Sequence, residues 1–113
     1  METKAAVVTL SALAQASRLA VFRALVQAGT DGLAAGRISE LTDIAPSSLS
    51  FHLKELSHAG LVSATPEGRF VIYTANFDAI NALIGFLTEN CCGGAPCDVV
   101  ATSCCNTPGE KIA

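Results

Sequence analysis

The stretch that decides the fold is PSSLSFHLKELSHAGLV, residues 46–62. Its apolar positions recur at steps of four and three residues, at Leu49, Leu53 and Leu56. That spacing is typical of one face of an α-helix. Pro46 suits the first turn of such a helix, and Gly60 stands where a C-terminal cap belongs. The other positions are rich in hydroxyl and charged side chains, so the pattern predicts an amphipathic helix with a serine-rich polar face.

The neighbouring segments place this helix in a larger motif. RISELTDI, residues 37–44, predicts a short helix with its apolar residues on one face. A short helix joined by a tight turn to a longer amphipathic helix is typical of a helix-turn-helix. After residue 60 the period becomes that of strands, in LVSAT (61–65) and RFVIYTA (69–75). PEG separates them, with Gly68 supplying the turn, which predicts a two-stranded hairpin and hence a winged motif.

Further helices are predicted on both sides of this module. One covers the segment 3–16, and a second covers ASRLAVFRALVQAG (16–29), with Ser17 as its cap and Gly29 at its end. The last covers NFDAINALIGFLTEN (76–90), where Asn76 is the candidate cap. The first and last helices carry apolar faces that the small central module cannot cover. The sequence thus predicts a mainly α winged helix-turn-helix with a two-stranded β wing, forming a homodimer through its first and last helices.

Composition narrows the class of protein. The chain has 113 residues, half of them hydrophobic, and no Trp, so an aliphatic core is expected. We divide it into a DNA-binding and dimerisation domain, residues 1–90, and a cysteine-rich C-terminal sensing loop and tail, residues 91–113. Neither a signal peptide nor a membrane span is recognisable, which predicts a cytoplasmic protein without membrane contact. No cysteine lies beside a motif resembling a nucleophile with its base, so we expect no enzymatic activity and no organic cofactor.

Candidate DNA contacts lie on the longer helix of the motif and at the hairpin tip. Residues near the start of the second helix of a helix-turn-helix reach base edges in the major groove. The polar residues there are Ser47, Ser48, Ser50, His52 and Lys54. Arg69, at the hairpin tip, is a candidate for the minor groove or a phosphate, and Arg37 has less support. The alternative is an ordinary solvated face, and the net charge of −3 gives no independent indication of nucleic-acid binding.

The five cysteines form the other candidate site. They are Cys91, Cys92, Cys97, Cys104 and Cys105. Thiolates select soft ions, and in a reducing cytosol clustered cysteines more often bind metals than form structural disulfides. The first three stand on one short glycine-containing loop and suit trivalent arsenic or antimony, which take three sulfurs. Zinc in a four-thiolate site is possible if Cys104 or Cys105 joins, and a reduced tail without a ligand is the alternative.

One stretch of the sequence resembles the ArsR/SmtB family of metal- or metalloid-responsive repressors. It is the string Leu49-Ser50-Phe51-His52-Leu53-x-x-Leu56-x-x-Ala59-Gly60-Leu61-Val62, followed by GRFVIYTAN. The resemblance extends from about the start of the chain to ENCC, and CCGG after the last helix is similar to the arsenic-sensing branch. It implies a homodimer held by the first and last helices, a recognition helix near 46–59 and a wing near 61–75. It also implies release from operator DNA when the inducer binds.

The sequence departs from the family at both of its familiar sensing sites. Many arsenic sensors carry two cysteines in or beside the helix-turn-helix, and this motif has none. In the zinc-sensing branch, Asp and His ligands lie on the last helix; Asp78 could match the first, but Ile80 replaces the expected His. If the chain senses a soft ion, the site has therefore moved to the C-terminal cysteines.

Two functions follow from these observations. The first is a DNA-binding transcriptional repressor of an arsenic-resistance operon, with As(III) or Sb(III) as the inducer. The second is a cytosolic thiol-rich protein that binds or buffers soft metals such as zinc or cadmium, without operator specificity. The segment SSLSFHLK, residues 47–54, separates them, because a metal buffer needs no hydroxyl-rich helix followed by a wing.

Overall fold

A helix-turn-helix followed by a β hairpin forms the centre of the computed structural model, which describes residues 1–90. Within that range the elements are α1 (Thr3–Leu13), α2 (Ala16–Ala28), β1 (Leu33–Ala34), α3 (Ala35–Thr42), α4 (Pro46–His58), β2 (Val62–Glu67), β3 (Phe70–Ala75) and α5 (Phe77–Leu87). A 3₁₀ turn, Gly29–Asp31, connects α2 to β1. The predicted mainly helical winged fold is confirmed. All five cysteines lie outside the described residues.

The core is aliphatic, as the composition predicts, and it lies where α2, α3 and α4 meet. Its largest fully buried side chains are Leu25, Ile38, Leu49, Leu56, Leu61 and Val21. Phe22 is the one phenylalanine or tyrosine among the buried side chains of the described chain. The apolar face predicted for α2 is correct at Phe22 and Leu25, whereas Leu19 and Val26 are exposed. Helix α4 is therefore held by leucines packed on two other helices.

The sheet has one more strand than the sequence predicts. Its order is β1-β3-β2, all antiparallel, with Leu33 opposite Tyr73. β1 has only two residues, too few to show a strand period. β2 continues through Pro66 and Glu67, which the sequence assigned to the turn, and Glu67 pairs with Phe70. An edge strand tolerates a proline because its N–H side need not be paired, so the turn shortens to Gly68 and Arg69.

Two of the three helix caps predicted from the sequence are present in the structure. Gly60, at φ 79°, ends α4: its N–H bonds to Ser57 O at 3.0 Å and the Leu61 N–H bonds to Leu56 O at 3.0 Å, a Schellman pair. Asn76 caps α5 as predicted, its side chain accepting from the Ala79 N–H. The predicted cap at Ser17 is wrong. α2 begins at Ala16, after an extended Gln15 whose carbonyl already accepts the Leu19 N–H at 2.9 Å.

The first and last helices keep apolar side chains on their outer faces. On α1 these are Val7, Val8 and Leu10, and on α5 they are Ile84 and Leu87. The two helices contact each other in the protomer. We call these five exposed side chains together the α1/α5 face; it leaves several large apolar side chains in water.

Among residues 1–90, no single helix is both long enough and apolar enough to cross a membrane. α1 and the segment Ala16–Asp31 reach that length only together, as a pair bent by 98°.

Candidate nucleic-acid interface

The turn between α3 and α4 is held by short-range hydrogen bonds. Asp43, in the left-handed region at φ 57° and ψ 37°, ends α3, and its N–H bonds to Ser39 O at 2.8 Å. The Ser39 hydroxyl donates to Ile44 O across the turn at 2.6 Å. The Thr42 hydroxyl donates back to Ile38 O at 2.7 Å. These bonds satisfy the backbone where the chain reverses and set the angle between the two helices.

The two faces of α4 are sharply divided. Leu49, Leu53 and Leu56 are at most 3% exposed and pack into the core. Four of the five DNA contacts predicted on α4 are exposed: Ser47, Ser48, Ser50 and Lys54. Because Pro46 begins the helix, the serines fall in its first turns, where the free N–H groups also favour phosphate. The structure thus presents the serines on one open surface.

His52 does not belong to that surface. It stands three residues after Leu49 and four before Leu56, so the helical period turns it toward the buried side. Its side chain is 9% exposed, and its Nδ1 atom is buried without a hydrogen-bond partner. The prediction that His52 lies on the exposed polar face is wrong, because the helical repeat of Leu49 and Leu56, and not the polarity of the imidazole, decides which side of α4 it occupies.

Phe51 takes the exposed position instead. Its side chain is 55% exposed. It stands four residues after Ser47 and three before Lys54, in the middle of the outer face. Its ring meets the His52 ring edge to face, with the centroids 5.9 Å apart. Sequence reasoning missed Phe51 because it searched for polar side chains; the same helical period that explains His52 predicts this exposure.

The wing places Arg69 near the start of α3. Arg69 lies in the two-residue turn and is exposed, as predicted. It shares with Arg37 an open cleft of about 540 Å³, which Phe70 and Tyr73 also line. Arg37 donates to Glu40 Oε1 at 3.1 Å, but both side chains are more than half exposed, so this ion pair is weak and leaves Arg37 able to meet a phosphate. A second cleft, between α4 and the hairpin, includes Ser50 and Lys54.

The electrostatics of this surface are unusual for a DNA-binding module. Residues 34–74 include three basic and four acidic side chains, which gives a net charge of −1. The basic residues are Arg37, Lys54 and Arg69, and the acidic residues are Glu40, Asp43, Glu55 and Glu67. Hydroxyl groups and the α4 N-terminus must therefore supply much of any attraction to DNA. We expect a shallow salt dependence as a result, because few counterions are released.

The metal-ligating residues of the described chain do not cluster. Within residues 1–90, no group of three or more His, Cys, Asp or Glu side chains is placed to hold a metal ion. The predicted ligands Cys91, Cys92 and Cys97, and the additional Cys104 and Cys105, lie outside the described residues, so the metal site stays a prediction.

Comparison with known proteins gives a consistent assignment. A helix-turn-helix domain model matches residues 13–63. HlyU from Vibrio cholerae is 34% identical, with a TM-score of 0.62, over 81% of this chain and 99% of that one. The HTH-type transcriptional regulator YgaV from Escherichia coli is 28% identical over 83 residues, 74% of this chain and 82% of YgaV.

A third relative adds the family's name. It is a homodimeric winged helix-turn-helix DNA-binding domain from Mycobacterium bovis, described as a possible ArsR-family transcriptional regulator. It is 27% identical, with a TM-score of 0.62, over 77% of this chain and 81% of that one. Taken with the serine-rich face of α4 and the wing beside it, these similarities show that the chain belongs to the winged helix-turn-helix transcriptional regulators of the ArsR type.

Proposed function

We propose that this regulator is a homodimeric repressor of an arsenic-resistance operon, and that As(III) or Sb(III) releases it from operator DNA by binding Cys91, Cys92 and Cys97. The observation that carries the DNA-binding half of the proposal is the exposed face of α4 beside the wing. Its serines lie opposite the buried leucines, and Arg69 stands at the tip of the adjacent hairpin. A repressor acts where the DNA is, so the cytoplasm remains the predicted location.

The α1/α5 face supports the homodimer. Five apolar side chains on it are between 39% and 59% exposed in the protomer. Burying them against a second copy removes apolar surface from water, at about 25 cal/mol for each Å². A two-fold dimer also repeats the recognition helix, so two half-sites about one turn of DNA apart can be read together. The M. bovis relative is a homodimer, which is consistent with this assembly.

The inducer follows from the chemistry of the C-terminal cysteines. Arsenite and antimonite bind thiolates, and the chain has five cysteines, all between residues 91 and 105. Cys91 follows the end of α5 by four residues, and α5 carries part of the proposed dimer face. Binding shifts the dimer away from its DNA-binding conformation only if the ion binds the released conformation more tightly.

The alternative is a thiol-rich protein that binds or buffers zinc or cadmium. The cysteines alone fit it equally well, since soft divalent ions also prefer thiolates. The family assignment and the exposed serines of α4 favour the repressor.

A band-shift assay tests the proposed function. The probe is the promoter DNA upstream of the protein's own gene, and arsenite, antimonite, Zn(II) and Cd(II) are added in separate lanes. The repressor retards one footprinted segment, and arsenite or antimonite frees it. Retention of metal without any retarded band on this DNA would instead favour the buffer.

We predict that Ser50→Ala and Arg69→Ala each weaken operator binding by about 1–3 kcal/mol, because each removes a groove or phosphate contact. Fluorescence anisotropy with the footprinted duplex measures the change. Arg69→Ala should also lower the slope of log K against log salt by about 1 if Arg69 meets a phosphate.

Two exposed residues outside the helix-turn-helix and the wing are controls: Thr30, in the 3₁₀ turn, and Lys4 on α1. Thr30→Ala and Lys4→Ala should leave the affinity unchanged. Equal effects from the test and control variants would show that the recognition surface is misassigned.

We predict that the protein sediments as a dimer at micromolar concentration and that Val7→Asp raises the dimer dissociation constant at least about tenfold, or 1.4 kcal/mol. Val7 is 54% exposed on α1, and a carboxylate there would be buried unpaired in the dimer. Leu41→Asp, at a similarly exposed leucine on α3, is the control and should remain dimeric. A monomeric wild-type protein under these conditions contradicts the assembly.

A further inference from the structure

An exposed aromatic ring lies in the centre of the surface that the proposed function assigns to DNA. The outer face of α4 is otherwise polar, formed by Ser47, Ser48, Ser50 and Lys54. Phe51 is 55% exposed among them. A solvated helix face gains nothing from a large apolar ring there, since the ring loses the hydrophobic free energy that burial would supply. The position therefore calls for a partner that presents an apolar group.

Neither the core nor the α1/α5 face provides that partner. α4 packs on the core through Leu49, Leu53 and Leu56, on the side opposite Phe51. The proposed dimer face approaches α4 at its other end, where Val7 and Val8 line a cleft with Glu55 and His58, and Phe51 is not part of that cleft. Phe51 instead lies on the same exposed face of α4 as the serine hydroxyl groups. We therefore expect it to contact the same partner as those serines, which in the proposed function is DNA.

The neighbouring ring gives Phe51 one contact on the helix. His52 is buried, and its ring contacts that of Phe51 edge to face with an interplanar angle of 65°. The rest of the Phe51 ring is open to solvent, since the side chain is 55% exposed. A partner that docks on this face of α4 can therefore reach the ring.

In the major groove, the edges of the base pairs present hydrogen-bond donors, acceptors and one apolar group, the C5-methyl of thymine. We propose that Phe51 packs against a thymine methyl in each operator half-site and so determines the base at that position. This inference rests on the proposed function, because it needs α4 in the major groove. The serines and Lys54 then position the helix on phosphates and polar base edges, while Phe51 selects A·T over G·C at one pair.

Single thymine-to-deoxyuridine replacements test this contact. Deoxyuridine keeps the pairing and the O4 acceptor and lacks only the methyl group. The probe is the footprinted duplex, with each thymine replaced in turn at symmetric positions of the two half-sites, and full-length protein is titrated by anisotropy. Wild-type protein should bind one of these duplexes about fourfold more weakly for each methyl lost. Phe51→Ala should bind the thymine and deoxyuridine forms of that duplex equally.

Phe70→Ala is the matched control, since Phe70 is another exposed phenylalanine, 65% exposed, next to the wing tip. It should keep the wild-type ratio between thymine and deoxyuridine, whatever its absolute affinity. Circular dichroism checks that both variants are folded. The inference is overturned if wild-type protein is indifferent to every thymine methyl, or if Phe51→Ala keeps the wild-type ratio. Failure of the wild-type protein to bind any operator would overturn the proposed function itself, which is a separate result.

Discussion

Replacing Gly32 by alanine is expected to lower the free energy of unfolding by on the order of 3–5 kcal/mol, enough to unfold a marginally stable domain of this size. Gly32 has φ 70° and ψ −174°, a region of backbone conformation that is essentially restricted to glycine. A Cβ atom at this position would stand 2.5 Å from the carbonyl oxygen of Tyr73 and 2.6 Å from Cγ2 of Thr74. Tyr73 lies in the central strand, so its backbone cannot move without breaking pairs on both sides.

Gly36→Ala is the matched control for Gly32→Ala. Gly36 lies inside α3 and has no positive φ, and apart from the adjacent residues and the backbone of its own helix no heavy atom lies within 4 Å of the position a Cβ would take. Alanine there should be neutral or stabilise by up to about 1 kcal/mol through helix propensity. Thermal denaturation followed by circular dichroism measures both variants, and Gly32→Ala should lose at least about 10 °C. A Gly32→Ala protein that melts with the wild type would show that the backbone does not approach β3 in this way.

Gly32 also shows where sequence analysis reaches its limit. The segment TDGLAAG, residues 30–36, contains turn residues and gives no strand period, so β1 was not predicted. Its two residues pair with β3 through contacts about forty positions away, and local patterns carry no information on such pairings. The long helices were predictable because the apolar period and the capping residues indicate the same ends. Gly60 marks the end of α4, and Asn76 marks the start of α5.

Residues 51 and 52 show why the exposed face of α4 was predicted only in part. The sequence pattern predicted the helix and the exposure of its serines, and both are confirmed. It then selected His52 by its polarity, although the positions of Leu49 and Leu56 place residue 52 on the buried side. The same rule places Phe51 outside. Residue type predicts the chemistry of a contact, and position in the repeat decides whether the side chain is available for it.

Single replacement of Cys91, Cys92 or Cys97 by serine is expected to give a folded protein that binds its operator but is no longer released by arsenite. Folding should survive because the buried core of the described chain is formed entirely by residues before position 84. DNA binding should survive because α3, α4 and the wing contain no cysteine. In wild-type protein, arsenite should weaken operator binding by about 5–150-fold, the usual range of coupling between two sites. In each variant this ratio should fall to about one.

The ranking among the cysteines distinguishes a three-sulfur site from general reactivity of thiols with arsenic. A pyramidal site that loses one of three sulfurs loses both its affinity and the geometry that favours the released dimer, so each of the three replacements should abolish release. The double variant Cys104→Ser, Cys105→Ser removes two thiols yet should still respond, and it is the control for thiol number. Anisotropy titrations with and without arsenite, alongside calorimetric titration of arsenite into each variant, separate loss of binding from loss of coupling. If the double variant is unresponsive while the single variants are still released, the inducer site includes Cys104 and Cys105 instead, and the proposed three-cysteine site is wrong.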